Sequence, residues 1–116
     1  MLKKQQKLVA NLDAVQIDYM GKRLIGEFLG TFSLVFCGTG AIIINRESGG
    51  VITHVGIAIT FGLIVMAMIL SFGHTSGAHI NPAVTIALSV ARRFNPKNIF
   101  PYIIAQFGGG CFASII

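Results

Sequence analysis

Apolar residues fall in three long blocks along the chain, and a fourth, shorter block lies between the second and the third. Residues 24–44 (LIGEFLGTFSLVFCGTGAIII) and 51–72 (VITHVGIAITFGLIVMAMILSF) each reach the roughly 20 residues that cross a hydrocarbon core of about 30 Å at 1.5 Å per residue. Residues 99–116 read as a third span, incomplete at the chain end. Between the second and third, residues 73–91 (GHTSGAHINPAVTIALSVA) open with small polar residues and two histidines, break at Asn81-Pro82 and then run apolar. About ten helical residues cover about 15 Å, half the core. The pattern predicts an all-α membrane protein with three transmembrane helices and one short helix that does not cross.

Charge decides where the short helix enters. Lys3, Lys4, Lys7, Lys22 and Arg23 precede the first block and Arg92, Arg93 and Lys97 follow the short one, while the segment joining the first two spans has only Arg46 beside Glu47. Positive charge marks the cytoplasmic side, so residues 73–91 leave from and return to that side as a re-entrant segment. Residues 1–23, with Leu8, Leu12, Val15 and Tyr19 at helical spacing, are expected to form a cytoplasmic, weakly amphipathic tail lying at the membrane surface. Its length, together with Glu27 inside the first block, argues against a cleaved signal peptide.

Composition agrees: 53% of the 116 residues are hydrophobic and 11% charged, against about 25% charged in an ordinary soluble domain. The basic residues flank apolar runs and form no face of their own, which excludes a nucleic-acid binder. Cys37 and Cys111 fall in apolar blocks and are expected to be small buried fillers, with neither disulfide nor metal. His54, His74 and His79 have no carboxylate close in sequence, so neither a metal site nor an enzyme is expected.

The chemistry lies in the short segment. Irregular backbone at membrane depth is tolerated only where protein buries it or water reaches it. Gly77, Ala78, His79 and Ile80 could present a ladder of carbonyl acceptors to such a wet cavity. Asn is among the best N-caps and Pro is favoured at the first helical position, so Asn81-Pro82 reads as a helix start. An Asn that caps with its oxygen keeps its NH₂ free to donate, at the positive end of a helix dipole. Such a site suits a neutral polar solute and repels cations. The alternative is a cytoplasmic connector ending in an ordinary capped helix, disfavoured by apolar Ala83, Val84, Ile86, Ala87 and Leu88 wedged between two spans.

At these residues SGAHINPAVT resembles the first signature loop of the major intrinsic protein family, the aquaporins and aquaglyceroporins. GEFLGTFSLVFCGTG, ITFGLIVMAM and PYIIAQFGGG are similar to its first three spans, so the resemblance covers about residues 22–116. It implies one repeat of a fold made of two inverted repeats, residues 24–116 being the N-terminal half of a channel in the plasma membrane, assembled as a homotetramer. It further implies a passive path for water and small neutral solutes, with no cofactor. Asn81, Pro82 and Ala83 match the filter box, Gly77 to Ile80 its carbonyls, and Phe61 the second-span aromatic of the narrow constriction, where Phe is similar to water-selective members. Glu27 matches a buried acid that braces the dipping loop, and an ionisable group inside a span faces the bundle interior on independent grounds. GLIVMAM and SGAHINPAVT are also similar to plant nodulin-type channels, which pass glycerol, urea or metalloid acids. The second box and the constriction arginine are not among these residues, which leaves a non-conducting, truncated half-channel as another reading.

Overall fold

The computed structural model describes all 116 residues. Four α-helices follow one another, α1 (Leu2–Glu47), α2 (Thr53–Ser76), α3 (Pro82–Val90) and α4 (Ile99–Ile115), with a 3₁₀ turn at Pro96–Asn98 before the last. At 1.5 Å per residue α1 is about 69 Å long. It accounts for the long axis of the molecule, 72 Å.

No helix boundary falls at residue 23. The tail and the first span are one helix, because residues 1–23 contain no proline and only Gly21 as a weak point. A Lys22–Asp18 pair at 2.8 Å, one turn apart, reinforces the helix at the junction. Residues 1–23 therefore continue along the axis of the first apolar block and do not fold away from it.

The turn after α1 uses left-handed backbone at Gly49 (φ 71°) and Gly50 (φ 92°), and the Asn45 side chain closes it by accepting the Thr53 N–H at 2.8 Å. Helix α2 then runs four residues past the expected end at 72. His74, Thr75 and Ser76 keep helical bonding, and the break comes only at Gly77 (φ 89°), whose N–H reaches the Gly73 carbonyl. Gly73 to Ser76 thus belong to the span, and the irregular loop is only five residues, 77–81.

Helices α1 and α2 are long and apolar enough to cross a membrane. Helix α4, with 17 residues, covers about 26 Å, and α3, with nine, about 14 Å. Both α2 and α4 pack on α1. At Gly109 an added Cβ would run into the Phe28 carbonyl, so α1 and α4 approach backbone to backbone through small residues. The interior is polar: Glu27, Thr31, Ser76, His79, Thr85 and Gln106 are buried, while Ile25, Leu29, Ile59, Leu63 and Phe107 point outward. This inverts the arrangement of a water-soluble protein and suits a surface solvated by lipid.

Candidate functional site

Past Gly77 the backbone stays strained. Ala78 (φ 46°) and Ile80 (φ 43°) are left-handed without being glycine, which costs of order 1–3 kcal/mol each. Side chains from three helices hold them there. Ser76 Oγ accepts the Ala78 N–H at 3.0 Å. Glu27, fully buried on α1, accepts the His79 N–H on Oε1 at 2.9 Å and the Ile80 N–H on Oε2 at 2.7 Å. Gln106 of α4 donates from Nε2 to Glu27 Oε2 and to Thr85 Oγ1, both at 2.9 Å.

The two glycines beside Glu27 make room for this approach. A Cβ at Gly30 would strike the Ile80 side chain, and one at Gly26 would press on Phe72 and Ser76. Gly26 thus serves the packing of α1 on α2, while Gly30 seats the loop.

The consequence is an asymmetry of hydrogen bonding. The N–H groups of Gly77, Ala78, His79 and Ile80 are all satisfied within the chain, while their four carbonyls accept nothing from it. Gly77 is exposed while Ala78, His79 and Ile80 are buried residues, and buried backbone polar groups are nearly always paired, so this run of free acceptors is suited to receive a donor from outside the chain. Asn81 follows in extended backbone (φ −157°), its Oδ1 accepting the Ala83 N–H at 2.8 Å and its Nδ2 donating to no group of the chain. Pro82 takes the first helical position of α3.

Beneath the loop lies a second layer. Tyr102 is fully buried, donates its hydroxyl proton to the Ser76 carbonyl at 2.6 Å and accepts from Arg23 Nε at 2.8 Å. The rings of His79, Phe94 and Tyr102 meet at centroid distances of 4.7 to 5.1 Å, with the Arg23 guanidinium over Tyr102 at 5.2 Å. His79 Nδ1 contacts Thr85 Oγ1 at 3.1 Å, while that hydroxyl is also 3.2 Å from the Asn81 carbonyl. The histidine is thus braced by Thr85, Phe94 and Tyr102.

Glu27, Gly77 to Ile80, Asn81, Pro82 and Ala83 come together here. Phe61 stands apart, about 22 Å along α2 from Ser76, its ring against Gly38 of α1. His54 and His74 sit at opposite ends of α2. Cys37 is half-buried and Cys111 exposed, which corrects the expectation of two buried fillers. Pattern reading does not single out Gln106, Thr85, Tyr102 or Arg23. The available signal was Gln106 as a lone amide in an apolar block, which marks an inward-facing position as Glu27 does.

An apolar exterior around a polar, loop-bearing interior defines an all-helical membrane protein. Within that class the chain belongs to the major intrinsic protein family, a membrane-embedded family of channels, which matches residues 14–116. It is 46% identical to aquaporin NIP1-1 of Arabidopsis thaliana over 113 residues, 97% of this chain and 36% of that protein. It is 47% identical to aquaporin NIP1-3 of Oryza sativa subsp. japonica over 93 residues, 80% of this chain and 32% of that protein. The chain spans about a third of the length of these relatives.

Proposed function

We propose that the chain forms one of two inverted repeats of a passive channel for water and small neutral solutes, with Gly77 to Ala83 as part of its filter and Phe61 in its constriction. In this reading α1, α2 and α4 cross the membrane and α3 dips halfway from the cytoplasmic side, where residues 1–23, Arg92, Arg93 and Lys97 lie. Four complete subunits, each of two repeats, assemble in the plasma membrane, each with its own path.

One observation carries the reading: Glu27 takes up the loop's N–H groups and so leaves the carbonyls of Gly77 to Ile80 free. Water donates to those carbonyls and accepts from Asn81 Nδ2. The start of α3 carries the positive end of a helix dipole, about half a unit charge, which favours solute oxygen and disfavours cations. No energy source enters; the solute moves down its gradient.

The dipping segment is tested by labelling single cysteines, Gln5→Cys, Ser48→Cys and Asn95→Cys, in a chain whose Cys37 and Cys111 are replaced by serine. The expected pattern is inside, outside, inside. An outside result at 95 would mean that residues 77–91 cross the membrane, and the filter reading would fall.

A further inference from the structure

We infer that Gly38 on α1 is a specificity-determining position: by offering no side chain it lets the Phe61 ring lie back against α1, and so sets the width of the constriction. This rests on the placement of Phe61 in the solute path proposed above.

Gly38 is buried, and a Cβ built on it would overlap Cε1 and Cζ of Phe61 and stand 2.9 Å from Cε2. These atoms form the far edge of the ring. Optimal carbon–carbon separation is about 3.5–4.0 Å, so a methyl group at 38 displaces that edge by about 1 Å or more.

Other glycines show that this contact is of a particular kind. At Gly109 the obstacle is the Phe28 backbone, so that glycine serves helix approach; Gly40 and Gly62 have nothing within 4 Å. At Gly38 the three nearest atoms all belong to one aromatic side chain. A side chain can turn where backbone cannot. Phe61 is only half-buried, so part of its ring is left uncovered by this chain and the ring is not locked on all sides. Filling position 38 therefore pushes the ring away from α1 into the path and narrows it, and the loss falls on the larger solute before it falls on water.

The test compares Gly38→Ala, Phe61→Ala and the double variant, each assembled with a matching second repeat, by glycerol and water flux into proteoliposomes. One methylene in a fitted pocket is worth about 10–200-fold in discrimination. Gly38→Ala is expected to lower the glycerol-to-water ratio at the bottom of that range, Phe61→Ala to raise it, and the double variant to match Phe61→Ala alone. If Gly38→Ala does not fold, the relief of the clash in the double variant is expected to restore folding, and failure to restore it would overturn the inference. A second arm uses the 116-residue chain by itself, with 4-fluorophenylalanine at position 61 and ¹⁹F NMR. Gly38→Ala is expected to shift that resonance.

The outcomes separate the two ideas. An unaltered solute ratio for Phe61→Ala would remove Phe61 from the path and take the specificity claim with it. An altered ratio for Phe61→Ala, combined with an unmoved resonance or with an equal effect of Gly38→Ala in both backgrounds, would overturn the inference about Gly38 and leave the channel reading standing.

Discussion

Glu27→Gln is expected to free the loop at residues 77–81 while leaving the helices in place. The two carboxylate oxygens accept three hydrogen bonds, from His79 N–H, Ile80 N–H and Gln106 Nε2. Glutamine keeps the shape but turns one acceptor into a donor, so at least one buried N–H faces another N–H. An unpaired buried donor costs about 1–3 kcal/mol, and the bond from its N–H holds Ile80 in left-handed backbone that is itself unfavourable. Opening of the loop then becomes easier by roughly ten- to a hundredfold. Hydrogen exchange of the peptide covering 77–81 should quicken by that order, with the peptides of α1 and α2 unchanged, and conduction should fall with it. Unchanged exchange at 77–81 would show that Glu27 does not hold the loop.

Asn81→Asp separates the cap from the filter. Asp caps a helix about as well as Asn, so the bond from Ala83 N–H to the side-chain oxygen at 2.8 Å survives. A negative charge at the start of α3 even suits the helix dipole. Folding is therefore expected to be unaffected, while the path loses the Nδ2 donor and gains a charge that attracts cations. Loss of one hydrogen bond, about 0.5–1.5 kcal/mol, lowers water flux by up to an order of magnitude, and a cation leak appears where there was none. Stopped-flow light scattering and a cation-sensitive dye read both. If flux and cation exclusion stay as they were, Asn81 is not a donor in the path.

Much of this site could be read from sequence because its parts are local. Asn81 and Pro82 specify a helix start by their own chemistry, and the distance to Arg92 fixes α3 as too short to cross. The left-handed turn likewise falls at a glycine, Gly77. What could not be read depends on contacts between distant residues. Glu27 and Gln106 are 79 positions apart, and no periodicity says that the amide of one meets the carboxylate of the other. The seat of Phe61 on Gly38 is of the same kind. No helix boundary falls at residue 23, for a different reason: hydropathy changes there, but nothing in the backbone does, so the helix runs on.

The central claim, that these residues are one half of a selective water path, is tested most directly by osmotic shrinkage of proteoliposomes holding the chain with and without a matching second repeat. Eight of the nine basic residues, all except Arg46, lie on the side of the N-terminus in the proposed topology, and such a bias fixes one orientation for nearly every copy. Two copies then cannot pair head to head as an inverted repeat would. The chain alone is expected to shrink vesicles at the rate of protein-free lipid, and the paired halves to do so quickly without passing cations; fast, cation-tight flux from the chain alone, or lipid-background rates from the paired halves, would contradict the claim.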